Sequence, residues 1–260
     1  MLYATLNTPP LNLIGPEMIR DLVTLVLCLE TNDDVSVVVF GSTNPHFFSA
    51  HVDMYRAGEL STELARLEPG APLGLLYRRI SALNQVSIAA ITGRVRGAGS
   101  ELVLACDMRF AGDRAVFGQP EVGLGAIPGA GAVQHLTRLM GRGRALEALV
   151  GADDFPADIA ERYGWVNRAL PEDELPAFVS ALASRIARFP SAGIADAKQR
   201  VNSIALPDAD ALREDSQLFL SGLARPETQA RTKLLFGRGM QTDGSVEADF
   251  GVALADLPPA

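Results

Sequence analysis

The sequence lacks several features that mark specialised classes of protein. It contains only two cysteines, one tryptophan and three histidines in 260 residues. Two cysteines cannot staple a disulfide-rich scaffold. Both Cys28 and Cys106 stand in apolar stretches, so we expect buried thiols in a reducing compartment. No apolar run approaches the about 18 to 20 residues of a membrane-spanning helix. The N-terminus also lacks a basic segment followed by a long apolar one, so we expect no secretory signal and predict a cytoplasmic protein.

Basic residues are also in short supply. There are 23 Lys and Arg against 31 Asp and Glu, which gives a net charge of −8. A surface of this sign repels phosphate backbones and anionic lipids, so nucleic acid and membranes are disfavoured as partners. The chain is otherwise 48% hydrophobic and 21% charged, as globular domains are. An anionic ligand would therefore need a local basic patch or backbone N–H donors.

Apolar strand patterns alternate with helical patterns through the first two-thirds of the chain. A helix of about 15 residues is expected to open at Gly15-Pro16. The segment 55–72 is polar and predicts a loop or lid, 191–236 predicts helices, and 237–260 carries little pattern. This order predicts an α/β core over residues 1–190 and a helical region over 191–260. The predicted strands cover residues 2–7, 35–40, 86–92, 108–112, 115–118 and 165–170.

Three short segments carry residue types that are suited to chemistry. The first is a turn of small residues, GAGSE (97–101), in which a helix start presents free N–H groups and Glu101 follows. The second is GQPEVGLG (118–125), where Pro120 restrains the backbone beside Glu121. The third is PHFFSAHVDM (45–54), which follows a buried strand. Each also has a structural interpretation: a tight turn for the glycines, a solvated loop acid for Glu121 and a helix cap for Asp53.

Other motif interpretations are weaker. His51 and Asp53 are too few to indicate a metal site, so no metal is predicted. Neither Ser49 nor Ser100 stands in a G-x-S-x-G elbow, which argues against a serine hydrolase. The glycines around Gly129 lack the spacing of a dinucleotide-binding fingerprint.

Together the three segments make a more specific hypothesis. Two small-residue turns that follow parallel strands can direct two N–H donors at one oxygen, which is an oxyanion hole. Glu101 and Glu121 can flank the same point and divide acid and base roles between them through their environments.

From Ala89 to Leu175 the sequence strongly resembles the crotonase family of enoyl-CoA hydratases and isomerases. The segment FFSAHVDM is similar to that family's F-[SA]-A-G-x-D loop, and VVVFGS and NTPPLNL also fit. The resemblance implies a ββα spiral with C-terminal helices that build trimers and hexamers. The expected partners are an acyl-CoA substrate and further copies of the chain, as a homotrimer or a dimer of trimers. No tightly bound cofactor is implied, because coenzyme A enters as part of the substrate.

The resemblance also implies roles for individual residues. The thioester oxygen would lie between the backbone N–H groups of Val52 and Ala98. Glu101 and Glu121 match the two glutamates of hydratases, and Gly129 matches the glycine that helps to hold the attacking water. The loop residues Ala50 and Asp53 are expected to contact the coenzyme A part of the substrate.

Departures from the family pattern, among them the following, leave alternatives open. His51 stands where the loop has glycine, and it can move the loop or place an imidazole in the pocket. The C-terminus lacks the family's frequent lysine-containing ending, which can meet the 3′-phosphate of coenzyme A. The leading prediction is addition of water to a 2-enoyl-CoA. The alternatives are another reaction through the same enolate (isomerisation, decarboxylation or C–C cleavage) and a non-catalytic acyl-thioester binder.

Overall fold

The computed structural model describes residues 1–259 and arranges them as two small sheets surrounded by helices. The strands are β1 (Leu2–Leu6), β2 (Val37–Ser42), β3 (Phe47–Ser49), β4 (Val86–Ile91), β5 (Arg94–Arg96), β6 (Met108–Gly112), β7 (Val116–Gly118), β8 (Asp154–Pro156) and β9 (Arg168–Leu170). The α-helices are α1 (Pro16–Leu29), α2 (Leu60–Leu64), α3 (Leu73–Ala82), α4 (Gly97–Leu104), α5 (Glu121–Leu124), α6 (Ala132–Gly151), α7 (Ala157–Tyr163), α8 (Leu175–Ile186), α9 (Ser191–Ala205), α10 (Ala209–Leu223), α11 (Pro226–Arg238), α12 (Ser245–Ala248) and α13 (Phe250–Ala255).

The larger sheet has the order β1-β2-β4-β6-β9, and all of its pairings are parallel. Its central strands are apolar on both faces because helices cover both sides. In β2, Val38 and Phe40 join the main core with α1 and α3, while Val37 and Val39 join a second cluster with α8. The continuous apolar runs of the sequence therefore mark strands that are buried on both faces.

The smaller sheet has the order β3-β5-β7-β8. Strands β2, β4 and β6 each continue into a short strand of this sheet, and β4-β5 and β6-β7 then lead directly into α4 and α5. Because β3, β5 and β7 are parallel, their carboxyl ends lie at one edge of the sheet. This repeated ββα unit brings several turns to the same place.

The C-terminal helices pack back on this framework. Helix α10 contacts α3 and α6, while α11 and α13 contact α5. The expected boundary at residue 190 falls between α8 and α9. No helix within residues 1–259 is both long and apolar enough to cross a bilayer.

Several expectations from the sequence are confirmed and others are corrected. The long strands and α1 lie where they were predicted. The short strands β3, β5 and β8 were missed, because three residues are too few to show alternation. The segment 55–72 is not a plain loop, since it contains a 3₁₀ turn at Ala57–Glu59 and α2. Cys106 is buried as expected, but Cys28 is exposed because it lies on the outer face of α1.

Candidate active site

Two backbone amides project from the edge where β3 and β5 end. The strands pair in parallel, with Ser49 opposite Val95, so the residues that follow them emerge side by side. Val52 forms an isolated β-bridge with Ile14. The hydrogen bonds of this bridge use the His51 carbonyl and the Asp53 amide, so the N–H group of Val52 stays free. Ala98 lies in the first turn of α4, where amides have no helical partner. Within residues 1–259, neither the Val52 nor the Ala98 amide donates a hydrogen bond.

Close packing explains the small residues of this turn. Gly99 lies so near β3 that a Cβ atom there would be 2.6 Å from the Cβ of Ser49. Gly97 has a φ of +49°, and a Cβ there would lie 2.9 Å from Oε1 of Glu121. The buried Tyr77 hydroxyl donates to the Ala98 carbonyl at 3.0 Å and holds the turn from behind. The first turn of α4 therefore has a fixed position against its neighbours.

Glu101 lies three residues after Ala98 on α4, so both occupy one helix face. Its Oε1 accepts hydrogen bonds from the amides of Ala130, at 2.7 Å, and Ala132, at 3.1 Å, where α6 begins. Within the described chain no group donates to its Oε2, and Glu101 lines the adjoining cavity. One oxygen is thus fixed to the protein while the other is available to a ligand.

Glu121 is the first residue of α5 and faces the same cavity. It is only 9% exposed, and its Oε2 is buried without a hydrogen-bond partner in residues 1–259. Its Oε1 faces the backbone of Gly97. Glu101 is held by amides at the start of α6, whereas only the backbone amide of Glu121 itself favours a charge on the Glu121 side chain.

These surroundings shift the pKa values of the two carboxyl groups by different amounts. Burial raises the pKa of Glu101 from 4.5 to about 7, even though the amides of Ala132 and Ala130 lower it. Burial also raises the pKa of Glu121 well above its ordinary value, and the charge of Glu101 raises it further. Both pKa values are therefore raised by burial, and the charge of Glu101 makes Glu121 the weaker acid of the pair.

His51 is held by both of its ring nitrogens. Nδ1 lies 2.9 Å from the Val52 carbonyl oxygen, and Nε2 lies 3.0 Å from Oε1 of Glu247 in α12. The imidazole lines the cavity but is only 5% exposed, and it packs on the ring of Phe250. Sequence reasoning missed Glu247, which stands in the segment that showed little pattern.

The remaining residues named from the sequence have different placements. Gly129 lines the cavity next to Ala130, whose amide contacts Glu101. Ala50 is fully buried, and its amide donates to Leu11. Asp53 accepts from two following amides, as a cap does. The expectation that Ala50 and Asp53 contact a ligand is therefore not supported, because the structure brings neither to the cavity.

The cavity beside the two glutamates has a volume of about 510 Å³. Its walls come from α2, α10 and the C-terminal segment, so the segment first predicted as a loop contributes to them. Most of the wall is apolar, as is usual for a small-molecule site. Its large apolar side chains include Leu60, Leu64, Phe219, Leu223, Met240 and Phe250.

Comparison with known proteins identifies the family. The family description for enoyl-CoA hydratase/isomerase matches residues 1–237. The chain belongs to the enoyl-CoA hydratase/isomerase family. Relatives include the short-chain-enoyl-CoA hydratase of Clostridium acetobutylicum, 33% identical over 83% of each chain. The crotonyl-CoA hydratase of Syntrophomonas wolfei is 41% identical over 65% of this chain and 63% of its own.

Solved structures of the enoyl-CoA hydratase/isomerase family share the architecture. An enoyl-CoA hydratase candidate from Streptomyces avermitilis superposes with a TM-score of 0.96 at 50% identity, covering 99% of this chain and 94% of its own. An enoyl-CoA hydratase from Mycobacterium avium subsp. paratuberculosis superposes with a TM-score of 0.78 at 26% identity, covering 88% of this chain and 92% of its own. The crotonase-type fold expected from the sequence is confirmed.

Proposed function

We propose that this protein is an enoyl-CoA hydratase-type hydro-lyase, which adds water across the double bond of a 2-enoyl-CoA or removes it in reverse. The observation that carries the proposal is the pair of buried glutamates with unequal surroundings beside two unpartnered amides. Two amides of α6 favour the ionised form of Glu101, while Oε2 of Glu121 is buried without a hydrogen-bond partner in residues 1–259. The names of the relatives point to the same reaction class.

The two amides bind the thioester oxygen of the substrate. We assign the thioester oxygen to a position between the N–H groups of Val52 and Ala98. When a nucleophile adds at the β-carbon, electron density moves to this oxygen as an enolate. Amides that are already oriented stabilise that charge by about 3 kcal/mol for each donor. No tightly bound cofactor is needed for this step, and coenzyme A enters as part of the substrate.

The two carboxyl groups move the protons. Glu101 takes a proton from water while the water oxygen bonds to the β-carbon, and the C=C electrons move into the enolate. As the enolate collapses, Glu121 delivers its proton to the α-carbon. Net transfer of one proton from Glu101 back to Glu121 then restores the resting state. A base whose pKa is raised to about 7, next to a weaker carboxylic acid, suits proton transfer near neutral pH.

Loss of the conjugated thioester absorbance on mixing with crotonyl-CoA is the direct test. We expect turnover in the parent and at least a 100-fold loss of kcat in Glu101→Gln and in Glu121→Gln, because each removes one proton transfer. The matched control is Glu161→Gln, an exposed glutamate on α7, which should retain full activity.

Absence of turnover in a parent that still binds crotonyl-CoA would refute the hydratase proposal and favour another enolate reaction. The contacts of His51 argue against such a reaction running through its imidazole, because both nitrogens already face protein acceptors.

We further propose a homotrimer or a dimer of trimers in the cytoplasm. Large apolar side chains are exposed on the C-terminal helices, notably Val201 and Ile204 on α9 and Leu220 on α10. Burial of such side chains against another copy is favourable by about 25 cal/mol per Å². Light scattering should show a trimer or hexamer for the parent, and Ile204→Asp should shift it toward monomer. A parent that is monomeric at micromolar concentration would contradict this proposal.

A further inference from the structure

Glu247 is bound to the segments that carry both amide donors. Its carboxylate Oε1 lies 3.0 Å from Nε2 of His51, which directly precedes Val52. Its backbone carbonyl accepts a hydrogen bond of 2.7 Å from Nη1 of Arg96, two residues before Ala98. One residue of the C-terminal segment therefore contacts a residue that precedes each of the two amide donors.

The arginine side of this link is rigid. The guanidinium of Arg96 is buried and also donates two hydrogen bonds to Asp154, at 2.6 and 2.7 Å. Beside it, Nε of Arg94 donates to the Ala248 carbonyl at 2.7 Å. Charged hydrogen bonds of this kind hold their geometry well, particularly the bidentate pair. The backbone of α12 is therefore fixed to β5.

The histidine side depends on the Glu247 side chain. Glu247 is fully buried, and its Oε1 also accepts from the Gln241 amide at 2.7 Å. Burial acts to raise the pKa of Glu247, but His51, Gln241 and Arg96 together lower it below the ordinary value. The Val52 carbonyl oxygen lies at Nδ1 and the Glu247 carboxylate lies at Nε2, so the imidazole ring is held at both of its nitrogens. The ring is thus clamped between Glu247 and Val52.

One end of this link, Glu247, lies outside the part of the chain that the family description matches. That match ends at residue 237, before Glu247. His51 stands at the loop position where the family pattern has glycine, so its side chain reaches a partner that glycine could not.

We propose that Glu247 is a positioning residue that sets the separation of the Val52 and Ala98 amides through His51 and Arg96. This inference rests on the oxyanion role proposed for those amides. Glu247 touches neither substrate nor reacting atoms in this scheme. Removing its carboxylate frees His51 and lets the Val52 loop move relative to α4. Misplacement of a catalytic donor by about 1 Å can cost up to 100-fold in rate.

A chromophoric thioester separates positioning from turnover. The probe is 4-(dimethylamino)cinnamoyl-CoA, whose absorbance moves to longer wavelength when hydrogen bonds polarise its carbonyl. We expect Glu247→Ala to bind the probe within threefold of the parent affinity but to lose at least half of the red shift. With crotonyl-CoA its kcat should fall about tenfold, while KM stays within twofold.

Glu247→Gln tests the same idea by rescue. Its amide oxygen can still accept from His51 and from the Gln241 amide, so most of the red shift should remain. Asp243→Ala is the control, because it removes an exposed carboxylate from the same segment. If Glu247→Ala does not fold, His51→Ala breaks the contact from the other side and should lose the red shift too.

The outcomes are distinct. A red shift and kcat that survive in Glu247→Ala would overturn the proposal, as would survival in His51→Ala if that variant replaces it. A parent that binds the probe without any red shift would also overturn the proposal, since the two amides would then not polarise the carbonyl of the probe. A parent that shifts the probe but does not hydrate crotonyl-CoA would refute the hydratase function alone, and the variants would still test the positioning role.

Discussion

Replacement of Glu101 with glutamine is expected to remove a pH-dependent loss of stability. Burial raises the pKa of this carboxyl group from 4.5 to about 7. Between these values the folded protein holds a proton that the unfolded chain releases. The free energy of unfolding therefore falls as the pH rises through this window. Below pH 4.5 both states are protonated, and above about pH 8 both are ionised, so the change is confined to the interval between them. Glutamine has no such proton and no such loss.

The magnitude follows from the two pKa values. The difference between 4.5 and about 7 corresponds to about 3 kcal/mol over the whole window. About 2 kcal/mol of this lies between pH 5.5 and pH 8. For 260 residues at about 2.1 cal/mol/K each, the unfolding entropy is about 550 cal/mol/K. The Tm of Glu101→Gln relative to the parent should therefore rise by about 4 °C from pH 5.5 to pH 8. Glu121 does not offset this, because burial is the main cause of its raised pKa and remains in the variant.

Scanning calorimetry at pH 5.5, 6.5 and 8 measures this directly, at one protein concentration because the unfolding of an oligomer depends on concentration. Fluorescence of the single tryptophan, the fully buried Trp165, gives a second probe of unfolding. The control Glu161→Gln should keep a constant Tm difference from the parent at all three pH values. A Tm difference for Glu101→Gln that stays within 1 °C across this range would refute the reasoning.

Two substitutions of glycine test the packing of the site. Gly97→Ala should cost about 1 to 2 kcal/mol of stability, because an L-residue is strained at a φ of +49°. It should also abolish hydration, since the new methyl group would lie 2.9 Å from Oε1 of Glu121. Denaturant unfolding measures the loss of stability, and the crotonyl-CoA assay measures the loss of activity. Full activity would contradict the site geometry. Gly129→Ala would place its Cβ 2.6 Å from the Cβ of Phe219, and we expect a loss of about 1 to 3 kcal/mol by overpacking together with at least tenfold lower activity. Adding Phe219→Ala should restore part of that activity, and an unchanged double variant would show that the contact is not the cause.

Much of the fold was evident from the sequence because its signals are local. Long apolar runs that end at glycine predicted strands such as β2 and β4, and Gly15-Pro16 predicted the start of α1. The short strands β3, β5 and β8 were missed, because pairing with neighbours distant along the chain, rather than their own pattern, holds them in place. The helix α2 was also missed. It has few apolar positions, and these form a recognisable buried face only where the helix packs in the wall of the cavity.

For the candidate site, too, some features were evident from the sequence and others were not. The sequence alone determined which groups are available: the turn at Ala98, the loop at Val52, and the carboxyl groups of Glu101 and Glu121 on the elements that follow. These depend on backbone conformations that neighbouring residues dictate.

Only the tertiary structure decided how these groups differ. The amides that hold Glu101 come from the start of α6, and the partner of His51 lies 196 residues further along the chain. Burial and hydrogen bonding determine which carboxyl group keeps its proton and which side chain is clamped. Both depend on packing between distant segments, and no local pattern encodes that packing.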